Sequence, residues 1–231
     1  MPEVIIAGPD GRLEGHYTPA TEPNAPIALI LHAHPKGGGH MNAKPIVAMY
    51  ELYKRRGYAV CRFNLRGVGA SQGEYDQGLG ELQDAAIVLD WLQAMNPNAP
   101  FCWVAGHSFG AWLAMQLLMR RPEIHGFICM APPMNMYDFG FLAPCPASGL
   151  LVYGSADRIC PPDEIERIAE RIRIQKGTLL THTIIQGAGH LFDEHIEKLQ
   201  AEVDTYMNYR ENGTIDPHMQ EYIKNNRKVR R

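Results

Sequence analysis

Short runs of β-prone residues recur along the chain: VIIAG (4–8), PIALILHAH (26–34), GYAVCRFNL (57–65), FCWVAG (101–106), GFICMAP (126–132), GLLVYG (149–154) and THTIIQG (181–187). Most are apolar throughout instead of at alternate positions. A strand with one wet face alternates, whereas one covered on both faces does not. Amphipathic stretches lie between the later runs. Residues 43–56 repeat Ile46, Met49, Tyr50 and Tyr53 at helical spacing, and 79–95 repeat Leu82, Ala85, Ala86, Leu89 and Leu92. A third helix is predicted over 109–121, stopped by Pro122, and a fourth opens at Pro161-Pro162 and runs to Gly177. Strands buried on both faces and alternating with helices predict the α/β class: a three-layer α/β/α sandwich around a mostly parallel sheet of about eight strands. RLEGHYTP, after Pro9-Asp10-Gly11, reads as the return limb of an N-terminal antiparallel hairpin.

A chain of 231 residues suits one such domain, placed here at 1–207. Residues 208–231 end in KNNRKVRR and read as a basic, solvated or loosely docked extension. A net charge of −3 gives no general attraction to nucleic acid or anionic membranes, so neither is expected as a partner. The start, MPEVIIAGPD, lacks the basic region of a secretion signal, and no apolar run reaches the roughly 20 residues that cross a bilayer. Five widely spaced cysteines form no C-x-x-C pair. A cytoplasmic protein is expected, with a homo-oligomer left open.

In an open α/β sheet, function gathers at the carboxyl ends of the strands. There FCWVAG leads into Gly106-His107-Ser108-Phe109-Gly110 and at once into the helix AWLAMQLLMRR. A nucleophilic serine needs a sharp strand-to-helix turn, across which side chains at 106 and 110 would collide. Ser108 is therefore the candidate nucleophile. Its hydroxyl needs a base, and the base needs an orienting carboxylate. Asp157 follows the strand GLLVYG, and His190 follows THTIIQG, in the chain order that such a sheet demands. Asp138 is the main rival orienter. His182 lies at the wrong end of its strand, and His195 is expected inside the next helix. Asp157 is also a candidate cap for the helix after the prolines.

The segment LHAHPKGGGH (31–40) then reads as the loop facing the elbow. An acyl-transfer site needs two N–H donors for its oxyanion. The expected pair is the amide of Phe109 and that of His34. As a zinc site, His32, His34 and His40 would have to converge across three glycines. As a phosphate cradle, Lys36 stands on the wrong side of those glycines. Neither a metal nor another cofactor is expected. Gly67–Gly73 misses the dinucleotide fingerprint by one residue and reads as a structural loop beside the site.

The His32-x-His34-Pro35 glycine loop, RGVGASQG (66–73) and GHSFG together resemble the α/β-hydrolase superfamily over about residues 26–205. They are most similar to its small, lidless bacterial serine hydrolases and esterases, the dienelactone-hydrolase-like group. Dienelactone hydrolases proper use cysteine at the elbow, and Asn64 replaces the aspartate that many relatives carry. The resemblance implies a cap after the sixth strand, but Pro133–Ser148 is too short to build one. Met134, Met136, Tyr137 and Phe139 become candidates for the wall of an open pocket, with Phe141 and Leu142 beside them. The expected activity is hydrolysis of small or medium acyl esters through an acyl-enzyme. An acyltransferase or perhydrolase would use the same intermediate, and a non-catalytic binding module would use none of it.

Overall fold

The computed structural model describes residues 3–142, 144–173 and 180–212. Its strands are β1 (Glu3–Gly8), β2 (Gly11–Thr18), β3 (Ile27–Leu31), β4 (Ala59–Phe63), β5 (Cys102–His107), β6 (Ile124–Met130), β7 (Gly149–Gly154) and β8 (Leu180–Ile185). They form one sheet in the order β1-β2-β4-β3-β5-β6-β7-β8. The β1–β2 hairpin and the β2–β4 pairing are antiparallel. Every pairing from β4 across to β8 is parallel. The order reverses at β3, so β5 and its following loop lie at the centre of the sheet, where ligands bind in this architecture.

The helices are α1 (Lys44–Arg55), α2 (Leu79–Met95), α3 (Phe109–Leu118), α4 (Pro162–Arg173) and α5 (Ile196–Glu211). The uniformly apolar strands serve two cores at once. Ile27, Leu29 and Leu31 of β3 face a core shared with Val88 and Leu92 of α2, Leu113 of α3 and Ile165 of α4. Ala28 and Ile30 face a second core with Ile46, Tyr50 and Tyr53 of α1 and Val203 and Tyr206 of α5. These are the three layers that unbroken hydrophobicity demands.

Some boundaries differ from the sequence reading. β3 stops at Leu31, three residues short of the end of the β-prone run 26–34. α3 ends at Leu118, where Arg120 N–H closes a tighter turn on Leu117 O (2.9 Å). His195 is not inside a helix but is the N-cap residue of α5. α5 runs beyond residue 207, held by Glu211, which accepts from Tyr58 Oη (2.8 Å) and pairs with Arg56. The domain edge expected at 207/208 thus falls within a helix. The predicted stop at Gly177 and the KNNRKVRR tail lie outside the described residues. The β6–β7 connection carries a single 3₁₀ turn, Gly140–Leu142, among its described residues and no cap helix. No helix among the described residues is long and apolar enough to cross a membrane.

Candidate active site

β5 delivers Ser108 to the elbow with φ 54° and ψ −119°, a conformation that L-residues rarely adopt. The glycines explain how the chain tolerates it. A Cβ on Gly106 would strike the Gly110 carbonyl, and one on Gly110 would strike the carbonyls of Leu31 and His32. The second glycine therefore serves the loop after β3 as well as the elbow, because it lets the end of β3 lie against the start of α3. Ser108 N–H donates to Met130 O (2.9 Å), pinning the turn to β6.

The loops after β7 and β8 are knitted together. Ala156 N–H donates to Ala188 O (3.0 Å), and Gly187 N–H to Ser155 Oγ (2.8 Å). Between them His190 Nδ1 lies 2.8 Å from Asp157 Oδ2. The other oxygen, Asp157 Oδ1, accepts from the amides of Ile159 (2.8 Å) and Cys160 (2.9 Å), just before the prolines of α4. The same carboxylate thus holds its own loop and reaches the imidazole. Because the amides of Ile159 and Cys160 precede α4, these bonds tie the loop and are not the helix cap that the sequence also offered. Burial pushes the Asp157 carboxyl up, but the His190 hydrogen bond and the two amides outweigh it. The group lies below the ordinary carboxylate range. An ionised Asp157 only accepts, so the His190 proton sits on Nδ1 and Nε2 is left as the basic nitrogen.

Asp157, Cys160 and His190 bring three ligand-type atoms within 4.8 Å of one another. Burial and the adjacent Asp157 charge push the Cys160 thiol up, so it stays protonated, and both carboxylate oxygens already accept hydrogen bonds. That donor set suits an oriented acid–base pair better than a cation.

On the other flank His32 is buried and neutral. Burial pushes it down to about 4, its Nδ1–H donates to Ala33 O (2.7 Å), and Nε2 accepts from Leu65 N–H (3.0 Å). Both nitrogens are engaged with backbone, so this residue fixes the loop and is not presented to a metal. His34 Nδ1 accepts from Lys36 N–H (3.1 Å), which places its proton on Nε2, 3.0 Å from Tyr75 Oη. Its ring packs on Phe109 (4.9 Å between centroids), so the loops bearing the two expected oxyanion amides are in contact. Phe109 opens α3, and its N–H has no intrahelical acceptor. Among the described residues, the His34 N–H has no acceptor either.

RGVGASQG does abut this flank as a structural loop. Arg66 makes a two-pronged, buried pair with Asp84 of α2 (2.9 and 2.7 Å). Asn64 accepts from Met41 N–H (2.8 Å) and donates to Glu14 Oε2 (2.8 Å), and Glu14 also accepts from Ala70 N–H (2.8 Å). An asparagine serves here because the position needs a donor and an acceptor together.

The four pocket candidates separate. Met134 and Phe139 are buried in the core shared with α3, an outcome of packing beneath the loop, and so form no open wall. Met136 is exposed. Tyr137 lies against the first turn after the elbow, 5.7 Å from the Phe109 ring and 4.7 Å from that of Trp112. Tyr75, which the sequence reading passed over, stands 6.1 Å from Phe109, and a surface cavity of about 380 Å³ opens beside it between Lys36, Arg66 and Glu74. No local pattern in the sequence marks Tyr75 or Trp112, because chain segments far apart bring these rings together.

A sequence profile of the X-Pro dipeptidyl-peptidase (S15) family matches residues 14–155, spanning the elbow and ending just before Asp157. The chain belongs to this family, and with it to the α/β-hydrolase superfamily. A candidate alpha/beta hydrolase of unknown function from Agrobacterium tumefaciens is 51% identical, with TM-score 0.90 over 94% of this chain and 100% of that one. An α/β serine hydrolase without a lid from Xanthomonas campestris is 28% identical, with TM-score 0.77 over 87% of this chain and 90% of that one. A lysophosphatidylserine lipase of Rattus norvegicus is 34% identical over 125 residues, 53% of this chain but only 30% of that enzyme. These likenesses support hydrolase activity of the superfamily type.

Proposed function

We propose that the protein is a serine hydrolase of carboxylic esters, with Ser108, His190 and Asp157 as its triad. The observation that carries this reading is the 2.8 Å contact between His190 Nδ1 and Asp157 Oδ2, on two loops bonded to each other at the strand ends where the elbow also stands. Ser108 Oγ adds to the substrate carbonyl while His190 Nε2 takes its proton. Asp157 holds the tautomer and stabilises the imidazolium that results. The amides of Phe109 and His34 receive the charge that develops on the carbonyl oxygen. Collapse of the tetrahedral adduct expels the alcohol, which takes the proton from His190. Water then repeats the sequence on the acyl-enzyme and restores Ser108.

The test is Ser108→Ala. It should abolish p-nitrophenyl acetate turnover and labelling by a fluorophosphonate, with the fold intact by circular dichroism. Turnover and labelling that both survive would sink the assignment. The family match favours a second reading, cleavage of X-Pro dipeptides from peptide N-termini. Comparing kcat/KM for an X-Pro p-nitroanilide with that for p-nitrophenyl esters of increasing chain length separates the two. Esters are expected to be preferred, because the β6–β7 connection builds no cap helix to gate a peptide.

A further inference from the structure

His107 is the variable residue of the elbow motif, and its side chain is not idle. Alternation along β5 sends it to the same face as Trp103 and Ala105, away from Ser108, where it is wholly buried. Its Nε2 lies 2.8 Å from the main-chain carbonyl oxygen of His190. A carbonyl only accepts, so Nε2 carries the proton and Nδ1 does not, and no described group reaches Nδ1. The ring also packs against the His190 ring (5.0 Å) and that of Phe192 (6.2 Å). Phe192 is fully buried and held at φ 54°, a conformation that costs a non-glycine residue about 1–3 kcal/mol unless its surroundings impose it.

We infer that His107 is a positioning residue: through its Nε2–H···O=C bond to His190 it ties the base-bearing loop to the strand that carries the nucleophile. The inference rests on the reading of His190 as the base. Asp157 orients the imidazole from its side chain, and His107 fixes the main chain from which that imidazole hangs. Without the second tie the strained turn at 189–192 is free to relax, and the imidazole moves relative to Ser108 even though its bond to Asp157 persists. The neutral state of the ring matters too. A cation 5 Å from the His190 ring would oppose the imidazolium formed during turnover, and burial, with the neighbouring His190, pushes His107 down to about 4.

The experiment compares His107→Gln, His107→Asn and His107→Leu in the full chain. A glutamine amide extends far enough to present an N–H near the Nε2 position, whereas asparagine is one methylene too short and leucine has no donor. Thermal melts and circular dichroism report folding. For p-nitrophenyl acetate, Leu and Asn should lower kcat by about 10–100-fold with KM nearly unchanged, the loss expected for a displacement of order 1 Å. Gln should stay close to wild type. The downfield proton NMR resonance of His190 Nδ1–H should remain sharp in wild type and Gln, and broaden by exchange in Asn and Leu. A folded Leu variant with wild-type kcat and the same resonance would overturn the inference, as would equal losses in all three variants. Should Leu fail to fold, the Gln–Asn contrast decides, and equal kcat and equal resonances in that pair overturn it. If wild type turned over no ester and labelled with no serine probe, the functional reading would fall, but the resonance would still report on the tie.

Discussion

The two flanks of the elbow each contain a buried neutral histidine bonded to the backbone of a neighbouring loop, with the polarity reversed. On the oxyanion flank His32 Nε2 accepts from the amide of Leu65, and the histidine secures a wall built from backbone. On the other flank, that of the proposed base, His107 Nε2–H donates to the carbonyl of His190, so the histidine is bonded to the segment whose side chain is proposed to move a proton. The remaining anchors follow the same division. The flank proposed to hold the oxyanion contains a buried ion pair, Arg66–Asp84. The base flank rests on Asp157–His190, an ion pair only once His190 is protonated. One flank is stiffened by charges that never change, and the other, on the proposed mechanism, gains its charge pair only during the reaction.

The widest separation expected between the flanks is in rate. Asp157→Asn should lower kcat about 10⁴-fold by favouring the wrong His190 tautomer, with little change in melting temperature. Steady-state kinetics beside a thermal melt checks this, and a loss under tenfold would mean that the carboxylate only caps its loop. The reverse pattern is expected of Asp84→Ala. It leaves the buried Arg66 guanidinium with only its looser 3.8 Å pairing to Asp10, at a cost of up to about 3–5 kcal/mol. Urea unfolding should show that loss, and whatever fraction stays folded should keep most of its kcat. If the folded fraction proved inactive, the oxyanion flank would have to be counted as part of the chemistry.

The smallest expected difference lies in acid stability. His32 and His107 both have depressed values, each about 4 against an ordinary 6.5. Each is protonated in the unfolded chain before it is in the fold, so stability is full above about pH 6.5. It is lost as the pH falls towards 4, at up to about 1.4 kcal/mol per unit for each histidine. The charged or titratable neighbours of His107 are His190, Asp157 and His32, and burial outweighs them all. Urea midpoints measured from pH 7 to pH 4 should fall, and His107→Gln should make that slope shallower while leaving the His32 share. An unchanged slope would show that His107 does not titrate as a buried neutral group.

Much of this was legible before any coordinates, and local physics says why. The elbow is a contiguous turn in which Gly106 is demanded by the Gly110 carbonyl four positions on, so Gly106-x-Ser108-x-Gly110 announces itself, although the demand on Gly110 itself comes from distant Leu31 and His32. Asp157 and His190 are legible because strand-then-loop order in a parallel sheet places both at one end. Whether Met134 and Phe139 line a pocket or pack beneath the loop was open in the sequence, because an irregular loop has no period from which burial can be inferred. The Arg66–Asp84 pair and the Tyr75 ring were missed because their partners come from distant segments. His107 looked like a filler in its motif, since nothing in one dimension shows which carbonyl an inward-facing imidazole will meet.

The sequence by itself determined the layered α/β architecture, the elbow and the order of its partner residues, because periodicity, glycine sterics and chain direction act over short distances. Only the tertiary structure decided which buried nitrogens donate and which accept, which loop side chains were swallowed by the core, and which loop holds which. Those outcomes depend on the meeting of segments far apart in the chain, 83 residues for His107 and His190 and 153 for Tyr58 and Glu211. A hydrogen bond is committed to a partner only when that partner arrives.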